Sequence, residues 1–378
     1  MDLLLLHVQI KNNSINHSFI TTMQKYKISF EGQNVFVGID VHLKSWHVTA
    51  ITESGFKLSL AIKPNAKILF DTLNRRFPDA HFIAAYEAGF TGFATYYSLM
   101  DAGIETIAVN AADIPTSQKE QLMKTDAVDS EKIARSLRAG ELHGIYIKKR
   151  EYMDDCNLVR LRSRIVKDLC RQRNRTVHLL HTQGVEIPER FCKKGSRWSC
   201  SFMRWLEEDV QLLSETKRTL QILIRTVQSN RRMLLDITRE IRKMSKSEVY
   251  KSNYELLCSV PGIALITAMS LLTELDNDIP SRFNNERRFV SYLGLIPTCH
   301  DSGEKKVNGQ KTNRGNKQLG PLITEASWIA IRRDVELAAC YSAYCQRMEP
   351  QKAIIKVSRK LACKTFAILK TKQPYVLS

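Results

Sequence analysis

Residues 34–51, NVFVGIDVHLKSWHVTAI, are apolar and β-branched, and GFKLSLAI follows a Ser-Gly turn. Together they predict a β-hairpin or meander. AKILFDTLNRRF then has helical spacing, HFIAAYEAG reads as a strand ending at Gly89, TGFATYYSLMDAG as a helix closed by glycine, and IETIAVN as another strand. This order predicts an α/β domain with a mixed sheet, closed by a helix that runs to about Ala139. From Tyr152 to Gln183 the period is helical, with a basic polar face that includes Arg160, Arg164, Lys167 and Arg171. GVEIPERFCKKGSRW interrupts it, and a second amphipathic helix spans about Glu215 to Ser245. The pair predicts an antiparallel helical hairpin or coiled coil.

The last third is expected to be mainly helical. In LLCSVPGIALITAMSLLTEL, Pro-Gly between two apolar helical runs suggests a helix-hairpin-helix-like segment, whose turn could offer backbone N–H groups to a phosphate. TCHDSGEKKVNGQKTNRGNKQL has almost no apolar residues and is expected to be a loop. Helix returns in GPLITEASWIAIRRDVELAACYSAY and KAIIKVSRKLACKTFAILK. The expected domains are thus 34–150, 151–250 and 251–378. Residues 1–33 show no clear period and are expected to be a disordered or spurious extension, with Met23 an alternative start. Removal of residues 1–22 is expected to leave activity intact.

A chain of 378 residues is long enough for two or three domains. Its 57 Lys+Arg against 39 Asp+Glu give a net charge of +18, which favours a polyanionic partner over a merely soluble basic surface. No apolar run approaches a membrane span, and the leucines at the start lack a basic n-region. The cysteines include no CxxC, so reduced thiols in a cytosolic protein are the simplest reading.

Against that basic background four acids stand out. Asp40 interrupts an apolar strand and Glu87 ends one. Asp126 and Asp129 lie three apart, on one face of a helix. Like charges so placed repel unless a cation lies between them, and Mg²⁺ accepts hard oxygen ligands while keeping positions for substrate phosphates. Each acid also has a plain alternative. Asp40 could pair with Lys44, Glu87 could cap the next helix, Asp126 could be a helix N-cap and Asp129 its N3 partner. Spacing leaves both readings open.

GIDVHLKSW, AYEAGFTG and KTDAVDSEKIA resemble the three N-terminal blocks of DEDD-type insertion-sequence transposases, the mobile-element recombinases guided by a bridge RNA. LLCSVPGIALITAMSLLTEL, FVSYLGLIP and DSGEK…NRGNKQL resemble their C-terminal transposase domain, and the likeness runs in order from about Val35 to the C-terminus. It implies a RuvC-like, ribonuclease-H-like first domain whose four acids fall on Asp40, Glu87, Asp126 and Asp129, with Mg²⁺ as cofactor. It also implies a serine nucleophile that forms a phosphoserine link to DNA. That serine falls on Ser302; family members often carry a second serine where this chain has Asp301. Lys305, Lys306, Lys311 and Arg314 would neutralise the same phosphate, and Arg160, Arg164, Lys167 and Arg171 would follow a DNA or guide-RNA backbone. A composite site, a homo-oligomer and a prokaryotic, nucleoid-associated location are further implications. Two rivals remain: a Holliday-junction-type nuclease using water, and a non-catalytic nucleic-acid-binding protein whose acids only cap helices.

Overall fold

The computed structural model describes residues 29–122, 125–193, 195–302, 305–311 and 315–377. They separate into two compact units, one through Ile147 and one from Lys148.

In the first unit, β1 (Asn34–Val41), β2 (Trp46–Thr52) and β3 (Lys57–Ile62) form an antiparallel meander. Helix α1 (Ala66–Arg76) leads to β4 (His81–Glu87), which pairs parallel to β1. Helix α2 (Ala94–Asp101) leads to β5 (Glu105–Val109), parallel to β4. The sheet order β3-β2-β1-β4-β5 is the expected mixed sheet, with β1 at its centre. Asn65 caps α1, its side chain accepting from the Ile68 amide. A short helix, α3 (Gln118–Leu122), precedes α4 (Asp126–Arg138).

Period-two alternation assigns the two faces of the sheet. Val35, Val37 and Ile39 pack in one core with Leu69 and Leu73 of α1 and Leu99 of α2. Ala85, Val109 and partly buried Phe36 join Ile133 and Leu137 of α4 in another. Residues 36, 38 and 40 of β1 therefore share the α4 face. Phe30, expected in a disordered extension, packs edge-on against Phe77 at 5.3 Å, so the ordered domain begins before residue 34.

The second unit opens with the two expected long helices, α5 (Arg150–Thr182) and α7 (Ser214–Met244). They run antiparallel: Arg162 Nε donates to Thr238 Oγ1 at 3.0 Å, while Leu180 and Leu220 share a cluster at the far end. Between them, α6 (Cys200–Glu208) closes that end with Phe202, Trp205 and Leu206. The other end of the hairpin is continuous with the main core, through Val159 and Ile241.

That core surrounds α9 (Leu265–Glu274), which follows α8 (Lys251–Cys258); α10 (Ile279–Arg282), α11 (Glu286–Tyr292), α12 (Leu319–Ala330), α13 (Val335–Cys345) and α14 (Pro350–Thr371) complete it. The α8–α9 turn is the expected helix-hairpin-helix-like one, but Gly262 is packed rather than open. With φ of +84°, it carries no side chain because a Cβ there would stand 2.1 Å from the Ala326 carbonyl oxygen of α12. The single helix expected over 320–344 is two, because Asp334 caps α13 by accepting from the Leu337 amide at 2.8 Å. The expected loop after Pro297 is an antiparallel hairpin of β6 (Pro297–Ser302) and β7 (Lys305–Lys311). Its ladder is satisfied between backbones, so it needs no apolar alternation to form.

Candidate metal-binding carboxylate site

The parity of the strands gathers the acids at one edge. Ile39 pairs with Tyr86 in the parallel β1–β4 ladder, so Asp40 and Glu87 are the next residues of adjacent strands and both turn to the α4 face. His47 of β2 pairs directly with Asp40 and shares that face. The edge is the carboxyl end of the parallel strands β1 and β4, where open α/β sheets place their ligands.

Helix α4 brings the third acid. It lies directly on the sheet because β1 has glycine at its crossing point: a Cβ on Gly38 would stand 2.1 Å from Ser130 O and 2.4 Å from Ala134 N. The buried hydroxyls of Thr49 and Ser130, 2.9 Å apart, fix the same contact from β2. The N-cap is Thr125, not Asp126; its side chain accepts from the Val128 amide at 3.3 Å. Asp126 is thus the first helical residue, with its carboxylate directed to the strand edge rather than used for capping.

Donor atoms of Asp40, His42 and Asp126 all lie within 4.8 Å of one another. Asp40 Oδ2 is 3.1 Å from His42 Nε2, not paired with Lys44 as the plain alternative had it. His42 Nε2 is 3.8 Å from Asp126 Oδ1, and His47 Nε2 is 3.6 Å from Asp126 Oδ2. Burial raises the Asp40 pKa above the ordinary carboxylate value; His42 opposes this, while the charges of Asp126 and Asp129 push it further up. Asp129 turns its Oδ1 to Lys132 Nζ at 2.7 Å. Glu87 is exposed at the end of β4 and stands outside the close group, as does Asp129. The acids therefore meet as a close pair, Asp40 and Asp126, with Asp129 and Glu87 flanking it.

Sequence reading did not single out His42 or His47. The register of β1 on β2 was the missing information, since His47 reaches Asp40 only across the ladder. The donor set suits a hard divalent cation: two carboxylates converge within bonding reach, and the group facing them now is a histidine that can leave.

The expected nucleic-acid residues divide. Arg164, Lys167 and Arg171 are exposed on α5, Arg171 paired with Asp168. Arg160 donates Nε and Nη2 to Glu274 at 2.5 and 2.8 Å. Lys148 Nζ reaches the same carboxylate at 3.3 Å. Arg160 is thus tied to a buried carboxylate while part of its side chain stays exposed. Ser302 pairs with Lys305 at the closed end of the β6–β7 hairpin, and Lys306 pairs with Asp301. Lys311 ends β7, and Arg314 lies outside the described residues. The side chains of Ser302 and the three lysines are also outside the description. No helix among the described residues is long and apolar enough to cross a membrane.

Two family models match the chain. Residues 37–183 match a family described as DEDD transposase of the IS110 type. Residues 254–342 match the transposase IS116/IS110/IS902 family. The chain is 28% identical to a putative transposase, y4qE, of Sinorhizobium fredii, across 78% of this chain and 72% of the relative. It is 26% identical to the transposase for insertion sequence element IS1533 of Leptospira borgpetersenii, across 78% and 85% of the two chains. It is 24% identical to the transposase for IS1111A of Coxiella burnetii, across 74% and 75%.

Proposed function

The chain belongs to the IS110/IS116 family of insertion-sequence DNA transposases, and from that premise we propose a mechanism in which carboxylates and a serine hydroxyl divide the work of strand transfer. Asp40 and Asp126, flanked by Asp129 and Glu87, hold Mg²⁺. The observation that carries this is the meeting of Asp40 and Asp126 at the carboxyl end of β1, where two like charges face each other across one histidine. Such a pair is costly unless a cation lies between its members. A bound divalent ion would supply stabilisation of negative charge on the reacting phosphate.

Ser302 is the nucleophile. As its Oγ bonds to phosphorus the hydroxyl proton leaves, the phosphorus–oxygen bond to the deoxyribose breaks, and the departing oxygen takes up a proton. The product is a phosphoserine-linked strand, which the reverse attack by a DNA hydroxyl resolves with Ser302 as leaving group. A serine hydroxyl is a weak nucleophile and needs local help with its proton and with the phosphate charge. Lys305, Lys306 and Lys311 of β7, with Arg314 beyond it, supply the charge. DNA and a guide RNA are the partners, tracked by Arg164, Lys167 and Arg171, and the chain works as a homo-oligomer.

The test is a pair of variants, Ser302→Ala and Asp126→Asn, incubated with element-end DNA and Mg²⁺. Wild type is expected to give a denaturation-resistant protein–DNA adduct and both variants none. Cleavage by Ser302→Ala without an adduct would instead assign the attack to water.

A further inference from the structure

The far end of the α5–α7 hairpin carries a second concentration of cationic chemistry, remote in sequence from Ser302. The segment RFCKKGSRWSCSFMR, residues 190–204, contains five basic residues and no acid. Phe191 and Phe202 fold inward and are buried. Trp198 is different. It is only partly buried, stands edge-on to Phe202 at 5.2 Å, and has a left-handed backbone with φ of 69°. A bulky aromatic residue adopts that conformation only when its surroundings hold it there, and such residues concentrate at functional sites.

Two arginines do the holding, one from each long helix. Arg231 of α7 donates Nη1 to the Trp198 carbonyl oxygen at 3.0 Å. Arg173 of α5 lies over the indole ring, 5.4 Å from its centroid. The Arg173 Nε is buried and has no hydrogen-bond partner among the described residues. Burial pushes its guanidinium below the ordinary value and the charge of Arg231 adds to this, with only the Cys170 thiol opposing. A buried donor left unsatisfied beside a like charge is unfavourable in the free protein. An anion beside the two guanidinium groups would offset their like charge, and the guanidinium geometry matches phosphate oxygens.

We propose that Arg173 and Arg231, clamped on Trp198, form a phosphodiester-binding site for a nucleic-acid backbone at the tip of the helical hairpin. The basic composition of residues 190–204 makes a polyanion the fitting ligand rather than an isolated small anion. The proposal rests on the reading that the chain binds nucleic acid, and is independent of the carboxylate chemistry.

The experiment uses the full chain and three labelled probes: single-stranded DNA, RNA of the same sequence, and duplex DNA. Affinity is measured by fluorescence anisotropy over a range of salt for wild type, Arg173→Met and Arg173→Lys. Arg173→Met is expected to weaken at least one probe several-fold and to reduce its log–log salt slope by roughly 0.7–0.9, the share of one neutralised phosphate. The probe affected identifies the source of the phosphodiester. Arg173→Lys is expected to keep the slope and lose affinity, because an ammonium carries the charge without the fork. Without nucleic acid, Arg173→Met is expected to unfold at the same or a higher temperature than wild type, because it removes an orphaned donor. A lower unfolding temperature with affinity and slope unchanged for all probes would give Arg173 a purely structural role and overturn the proposal. Failure of wild type to bind any probe would overturn the nucleic-acid reading beneath it.

Discussion

Asp40 and His47 stand opposite each other in the antiparallel β1–β2 ladder, and His47 continues from there to Asp126, with Nε2 3.6 Å from Oδ2. The carboxylate pair thus faces imidazoles on two sides, His42 bridging and His47 flanking. Imidazoles offset carboxylate charge only when protonated, so a divalent cation is expected to bind here and stabilise the fold. Ligand present at a hundred times its dissociation constant stabilises by about 2.7 kcal/mol. Thermal unfolding in EDTA and in excess Mg²⁺ is therefore expected to differ for wild type and to coincide for Asp40→Asn and Asp126→Asn. An equal Mg²⁺ shift in all three proteins would place the binding elsewhere.

Gly38 sets the distance between the strand that carries Asp40 and the helix that carries Asp126. Alanine there would put a methyl group 2.1 Å from a backbone oxygen and 2.4 Å from a backbone nitrogen, neither of which can rotate away. Helix α4 has to move off the sheet. Overpacking of this kind costs about 1–3 kcal/mol. Gly38→Ala is expected to leave a folded, less stable protein whose strand transfer falls further than its stability does, since the two carboxylates separate. Circular dichroism and a transposition assay on one preparation check both halves; an active, destabilised variant would mean that the spacing is not critical.

The mixed sheet and both long helices were legible because their periods are local properties of the chain. Asp40 was legible because a charge stands out in an apolar strand. His47 was not: its closeness to Asp40 depends on cross-strand register, which a single strand's pattern does not carry. The β6–β7 hairpin was read as a loop because backbone pairing holds it without an apolar face. Arg160 shares the helical face of Arg164 and Lys167, so spacing grouped them; its partner Glu274 is 114 residues away and invisible to periodicity.

The Arg160–Glu274 contact has its own measurable consequence. Glu274 is 3% exposed and accepts from both Arg160 and Lys148. Burial alone would raise its pKa, but the Arg160 hydrogen bonds and the two cations outweigh burial and lower it. Removing one member of such a set leaves uncompensated buried charge, at a cost of about 3–5 kcal/mol. Glu274→Ala is expected to lose stability on that scale in denaturant titrations. Arg160→Met is expected to lose stability also, with little change in the salt slope of DNA binding, whereas Lys167→Met should lower the slope and leave stability unchanged. A slope lowered by Arg160→Met as much as by Lys167→Met would return Arg160 to the phosphate-binding set.

A last expectation concerns acid. Ser117 and Glu120 form a reciprocal cap on α3: the Ser117 amide and hydroxyl donate to Glu120 Oε2 at 2.7 and 2.8 Å, and the Glu120 amide donates to Ser117 Oγ at 3.3 Å. Arg135 of α4 donates to the other carboxylate oxygen at 2.8 Å, tying α3 to the helix that bears Asp126. The Ser117 amide, then Arg135 and the Ser117 hydroxyl, hold the Glu120 pKa down at about 2, against an ordinary value of 4.5. A depressed folded-state pKa means that the ionised form favours folding. The contribution is complete above pH 4.5 and is lost as pH falls through the interval to about 2. Amide hydrogen exchange over residues 117–122 is therefore expected to accelerate across that interval in wild type, beyond the change in intrinsic rate. In Glu120→Gln, exchange should already be fast at neutral pH and show no such step, because the amide keeps the shape of the cap but not its charge. Protection that persists in Glu120→Gln would show that α3 is held by packing rather than by this carboxylate.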